Sequence, residues 1–253
     1  PKAVIVMMDG YVLGGGFGLA QACHIKVTSE KSRFAMPETA IGFFPDVGAT
    51  HFLSRLDEVG VYMALTGEQI SSSDALYLDL VDYHVPSERF AELEAALIAA
   101  PVLNSLEIQK IISSYITHPV ESELQKRADL INQHFGYPNL KEIEQSLAHT
   151  SNSTDQEWAS KMLAILQQRP VMAKQTSLKL QQAGQNLSLE KCMQLERDLQ
   201  DVWLEQGDFI EGVRALIIDK DKNPQWRTEN AKFEQTLEKL WPAWTQQRIE
   251  NIT

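Results

Sequence analysis

Two cysteines, Cys23 and Cys192, are all that the 253 residues contain, and they stand far apart. That scarcity excludes a disulfide-dense scaffold and a four-cysteine metal site, and makes a reduced compartment the simpler setting. Basic charge is short as well: 23 Lys and Arg against 34 Asp and Glu leave a formal net charge of -11. The bases do not cluster, so recognition of nucleic acid through its phosphates is not expected. The apolar run from Ala3 to Met8 ends at Asp9 and suits a strand, being too short for a signal core or a membrane span. Missing too are an HExxH pair, a P-loop lysine followed by Ser or Thr, and a nucleophile elbow around Ser54 or Ser71 to Ser73. The six histidines are scattered, so no metal site is expected and each histidine reads as structural or solvated. An initiator Met is also absent, and a chain that opens on a buried strand reads as part of something longer.

What is present is ample apolar material, 43% of the residues, enough to bury a substantial core. Val4 to Met8 predicts a strand buried on both faces, because Val and Ile recur without polar alternation. A short helix is expected over Gly18 to Cys23, then strands over His24 to Thr28 and Arg33 to Met36. Pro37 and Pro45 frame irregular but structured connections, since proline fixes φ and removes a donor. Helices should follow from near Gly48 to Leu56 and over Val59 to Leu65, the latter ended by Gly67. Ser72 to Ala75 open another, and a strand should end near Val85. This alternation predicts an α/β layered core over residues 1–86. Residues 87–253 read as a helical region, with helices over Arg89 to Ala100, Glu121 to Phe135, Glu142 to Ala148, Val171 to Gln182, Leu187 to Gln206, Phe209 to Ile218 and Ala231 to Trp244. A further helix should run to Gln168 from a cap at Ser153 or Thr154.

One stretch concentrates unusual residues: DGYVLGGGFGLA, followed by FAMPETAIGFFPDVGATHFLSRL. Three consecutive glycines are entropically costly to order. They serve close packing, positive φ angles in a strand-to-helix connection, or backbone N–H groups aimed at an anion, such as the oxyanion of a reacting carbonyl. Glu38 and Asp46 lie among apolar residues, where desolvation raises a carboxyl's pKa unless donors compensate. For Glu38 the bland reading is a salt bridge to Arg55 or Arg33; for Asp46 it is capping of the next helix. Cys23 is expected to be buried near the glycine turn and Cys192 to lie on a helix face.

These two stretches, with YMALTGEQI and the segment from Leu189 to Arg227, LEKCMQLERDLQDVWLEQGDFIEGVRALIIDKDKNPQWR, resemble the enoyl-CoA hydratase/isomerase (crotonase) superfamily and, within it, the 3-hydroxyisobutyryl-CoA hydrolases. The resemblance implies a crotonase-like spiral of β-β-α units with a helical C-terminal region, of which this chain carries the latter two thirds. It implies that Gly15 donates its N–H to the thioester carbonyl oxygen, and that Glu38 and Asp46 are the catalytic and substrate-binding carboxylates. Relatives that hydrate double bonds usually carry an acid where Gly18 stands, and Gly18 cannot transfer a proton. The implied reaction is therefore hydrolysis of an acyl-CoA thioester in valine breakdown, with CoA as part of the substrate and no metal or redox cofactor. A preceding segment of the same protein is implied to complete the site. Hydration or isomerisation of a 2-enoyl-CoA, or silent acyl-CoA binding, are the alternatives. Where the hydrolases commonly have further glycines, Asp46 to Thr50 carries Ala49 and Thr50. No membrane partner is expected, a homo-oligomer is compatible, and the location expected is cytoplasmic.

Overall fold

The computed structural model describes residues 2–101, 104–227 and 235. Along the chain the strands are β1 (Ile5–Met8), β2 (Tyr11–Leu13), β3 (Ile25–Thr28), β4 (Arg33–Ala35), β5 (Ile70–Ser71) and β6 (Tyr83–His84). The helices are α1 (Gly15–Gln21), α2 (Ala49–Phe52), α3 (Asp57–Thr66), α4 (Ser72–Tyr77), α5 (Phe90–Ala99), α6 (Ser105–Ser113), α7 (Glu123–Lys126), α8 (Ala128–Phe135), α9 (Leu140–Ala148), α10 (Ser153–Gln168), α11 (Val171–Gly184), α12 (Leu189–Gln206) and α13 (Phe209–Val213). They group into two compact units, one holding the residues through Ala35 with Gln69–Asp129, the other Met36–Glu68 with the residues from Leu130 onward.

In the first unit the chain climbs in repeated turns. β1 pairs in parallel with β3, Ile5 opposite Ile25, while β2 pairs in parallel with β4, Tyr11 opposite Arg33. β6 extends the first ladder in parallel and β5 closes the second antiparallel. Val27 is fully buried and joins Val85, Leu93, Leu97, Ile108 and Ile112 in one cluster, so β3 packs on α5 and α6. The expected burial of β1 on both faces is met only at Met8, since Ile5, Val6 and Met7 are half-buried, while β3 buries Val27 and Thr28. Asp74 ties α4 to α7: its carboxylate accepts from the Ser71 N–H and Oγ, from Ser122 Oγ and from the Leu124 N–H, all within 2.7 to 2.9 Å.

The second unit is helical. Its core joins Phe43 and Phe44 to Met172, Ala173 and Leu180 of α11 and to Leu195, Leu199 and Trp203 of α12.

Several boundaries differ from expectation: the helix expected from near Gly48 to Leu56 is α2, ending at Phe52, that expected over Phe209 to Ile218 is α13, ending at Val213, and α6 has no counterpart among the expected helices. α1 starts at Gly15 rather than Gly18, because Gly14 adopts φ 52, ψ -123, a conformation essentially reserved for glycine, and the helix begins at the next residue. The helix expected from Glu121 to Phe135 breaks at Arg127, which leaves helical geometry at φ -106, ψ 5, into α7, capped by Ser122, and α8. α10 is capped by Asn152 and not by Ser153 or Thr154: the Asn152 carboxamide oxygen accepts the Thr154 N–H at 3.2 Å. The helix expected over Ala231 to Trp244 lies, apart from Gln235, outside the described residues.

Candidate active site

Pro37 leads into a single 3-10 turn, Glu38–Ile41, with Glu38 at its first position and Gly42 ending it in the left-handed region at φ 72. A side chain at Gly42 would lie 2.7 Å from the Asp208 carbonyl oxygen, so both backbone sign and space demand glycine. The next residues are pinned by aromatic packing. Phe43 stacks on Phe44 at 4.3 Å between ring centroids, and both meet the edge of Trp203, whose Nε1–H donates to the Gly42 carbonyl at 2.7 Å. Beyond Asp46 come two left-handed residues in succession, Val47 at φ 51 and Gly48 at φ 87. A β-branched residue in that region is strained and persists only where its surroundings hold it. Here Glu196 holds them: its Oε2 accepts the Gly48 N–H at 2.8 Å and its Oε1 the Thr50 N–H at 3.0 Å.

Three carboxyls thus share one neighbourhood of the second unit. Glu38 is only 8% exposed, and its Oε2 has no hydrogen-bond partner among the described residues. Burial pushes the Glu38 carboxyl from 4.5 to about 8; its own backbone N–H opposes the rise, and the charges of Asp46 and Glu196 add to it. Burial also raises Asp46, against its own N–H and the Gln200 carboxamide, which donates at 3.2 Å. Glu196 is raised by burial as well, against the Gly48 and Thr50 donors and with the Asp46 charge adding. A carboxyl that gains and loses its proton near neutrality, with one oxygen uncommitted, is equipped for proton transfer or nucleophilic attack.

Neither bland reading describes these acids. The Arg55 guanidinium donates to the carbonyls of His51, Gly184 and Leu187, and Arg33 to those of Glu30 and Ser32. α2 has Gly48 at its N-cap with no side-chain cap from that residue, and Asp46 contributes only its backbone carbonyl, accepting the Ala49 N–H at 2.9 Å. The donors that an Asp46 cap would have served go instead to Glu196.

Glu196 and Gln200 were not legible as site residues. One signal was present: Cys192, Leu195, Leu199 and Trp203 form a buried stripe on α12, and Glu196 is an acid set into that stripe, 2% exposed.

Gly15 stands in the first unit, exposed at the first position of α1. A Cβ on Gly15 or Gly16 would meet nothing within 4 Å, so among the described residues packing does not demand glycine at either position. Gly18 is buried in the same helix. Cys23 is half-buried rather than buried, its thiol donating to the Leu19 carbonyl, whereas Cys192 is buried on α12 with its thiol pushed up to about 11, chiefly by burial. His84 and His134 bond to Thr117 and Ser146, and no group of three or more His, Cys, Asp and Glu among the described residues is placed to hold a metal.

The family described as enoyl-CoA hydratase/isomerase matches residues 1–239. Among curated proteins the chain is 34% identical over 235 residues to the mitochondrial 3-hydroxyisobutyryl-CoA hydrolase of Xenopus laevis, covering 90% of this chain and 60% of the relative. It is 36% identical to the protein of the same name from Gallus gallus, covering 89% and 59%. The chain therefore spans about 60% of the length of the curated relatives it matches. Among solved structures, a carnitinyl-CoA dehydratase from Mycobacterium thermoresistibile superposes with a TM-score of 0.81 at 27% identity, covering 92% of this chain and 67% of that one. An enoyl-CoA hydratase from Rhodobacter sphaeroides gives 0.79 at 31% identity with the same coverage. The fold is crotonase-like, with a helical C-terminal region.

Proposed function

The chain belongs to the enoyl-CoA hydratase/isomerase family, and on that premise we propose that the full-length protein hydrolyses a 3-hydroxyacyl-CoA thioester, 3-hydroxyisobutyryl-CoA and also 3-hydroxypropionyl-CoA, to CoA and the free hydroxy acid, as a step of valine breakdown. The observation that carries this reading is Glu38: a buried carboxyl, pushed up to about 8, with one oxygen unpaired among the described residues and a second carboxyl, Asp46, whose charge reaches it.

In the general-base route the Glu38 carboxylate takes a proton from water as the water oxygen adds to the thioester carbonyl carbon. Gly15 has the role of N–H donor to the oxyanion that forms. Collapse breaks the C–S bond, and the proton held by Glu38 passes to the leaving thiolate. In the covalent route a Glu38 oxygen attacks the carbonyl carbon, thiolate leaves, and water opens the mixed anhydride. Both routes need Glu38 ionised in the free enzyme, and in both Asp46 orients the substrate hydroxyl or the water. Gly18 supports hydrolysis over hydration, because a glycine has no proton to deliver to a double bond.

A second reading, hydration of a 2-enoyl-CoA, is favoured by the names of the two superposable solved structures. The deciding experiment is release of free CoA thiol by the full-length protein across a panel of short acyl-CoA thioesters. Thiol release from 3-hydroxyisobutyryl-CoA, abolished by Glu38→Gln and by Asp46→Asn in folded protein, is the expected result. Water addition to a 2-enoyl-CoA without thiol release would overturn hydrolysis, and unchanged rates in both variants would leave the two acids a structural role.

A further inference from the structure

We propose that Glu196 and Gln200 are positioning residues for the Asp46 carboxyl, a two-point clamp through which one face of α12 fixes the aim of Asp46 and the backbone that follows it. The inference rests on the hydrolytic reading and adds to it two side chains roughly 150 residues further along the chain. Glu196 and Gln200 are four residues apart on a helix, so they project from the same face. From that face Gln200 donates to Asp46 Oδ2 at 3.2 Å, and Glu196 accepts the Gly48 and Thr50 N–H groups at 2.8 and 3.0 Å. The strained Val47, at φ 51, lies between the two anchor points.

A cap alone does not account for this arrangement. α2 is four residues long, and a Ser, Asp or Asn at its N-cap would serve its donors locally, yet that position is Gly48. The donors are met instead by a carboxylate 2% exposed, and a buried charge is a costly substitute unless its geometry matters elsewhere. The Glu196 charge also acts on Glu38, and the Asp46 charge acts on Glu196. Among the described residues, Asp46 and Glu196 are the charged groups whose fields act on Glu38.

The test uses the full-length protein with Glu196→Gln, which keeps shape but sets an amide NH2 against one of the two N–H donors, and Gln200→Leu, which removes the donor to Asp46 at a half-buried position. Misaiming the acids lowers kcat about 10- to 100-fold in each variant while KM changes little. In Glu196→Gln the acidic limb of the pH–rate profile moves to lower pH, because a negative charge that raises Glu38 is gone. Amide exchange at Gly48 and Thr50 quickens in the same variant. A purely structural role would lower thermal stability without moving the pH limb or the kcat of the folded fraction.

Should wild type release thiol while both variants keep its kcat and pH limb, the clamp is overturned and hydrolysis stands. Should wild type release no thiol, hydrolysis falls, and amide exchange decides the clamp by itself: unchanged protection at Gly48 and Thr50 overturns it, lost protection supports it. If Glu196→Gln does not fold, Gln200→Leu decides alone, with an unchanged kcat overturning the proposal.

Discussion

At the scale of single residues, the proposed hydrolysis turns on where Glu38 holds its proton. With its carboxyl at about 8, most of the free enzyme carries a neutral Glu38 at pH 7. The kcat/KM of the full-length protein is therefore expected to rise with pH and level off above about 8, and a limb at the ordinary carboxylate range would contradict the assignment. Glu38→Gln should lower kcat by about 1000-fold or more, since base or nucleophile is then missing altogether. A fall of only a few-fold, in protein with a native circular dichroism spectrum, would remove Glu38 from the reaction. From the residues alone Glu38 stood open between a salt bridge and a site acid, because no local pattern states how deeply a side chain is buried. Its apolar neighbours Ala35, Met36 and Ile41 hinted at burial; the unpaired oxygen is known only from the folded chain.

At the scale of elements, the Glu38 to Thr50 segment is held by its ends rather than by regular structure. Gly42→Ala puts a side chain into the left-handed region and against the Asp208 backbone, and should destabilise by about 2 to 4 kcal/mol in urea unfolding. Trp203→Phe keeps most of the aromatic packing but orphans the Gly42 carbonyl, at an expected cost of about 1 to 3 kcal/mol. If the two substitutions leave the unfolding midpoint unchanged, the loop is not anchored through Gly42. In the first unit the same logic applies to Asp74. Its burial opposes ionisation, but the Leu124, Ser122 and Ser71 donors together hold its carboxyl below the ordinary value. Asp74→Ala should cost about 2 to 4 kcal/mol at neutral pH. The folded pKa of Asp74 is depressed, so the stability it adds is present above the ordinary carboxylate range and is lost as pH falls below it. This clamp also fixes where α7 begins: Asp74, from 48 residues earlier, accepts from Ser122, and no local propensity encodes that.

At the scale of the whole molecule, Glu38 has the opposite sign. Its pKa is raised on folding, from 4.5 to about 8, so between those values the native state holds a proton that the unfolded chain has released. Its contribution to stability is fully present below about pH 4.5, declines as pH rises, and is gone above about 8. Glu38→Gln keeps a neutral side chain at every pH, so relative to this variant the wild type should lose on the order of 4 kcal/mol across that interval. Parallel urea unfolding at pH 5, 7 and 9 measures the difference, and curves that run parallel at all three would refute the buried-acid assignment. The sequence by itself determined the elements whose cause is local or composition-wide: the existence of strands β1 and β3, the stop at Gly67, the amphipathic α12 and the glycine turn before α1. It also determined which acids were candidates, because two carboxyls in apolar surroundings are unusual wherever they occur. Only the tertiary structure decided that Gly48 and Thr50 are served from α12, that Gln200 holds Asp46, and that Glu38 is left one oxygen without a partner among the described residues. Those are contacts between stretches far apart in the chain, set by how α11 and α12 pack on Phe43 and Phe44, and no spacing along the sequence carries them.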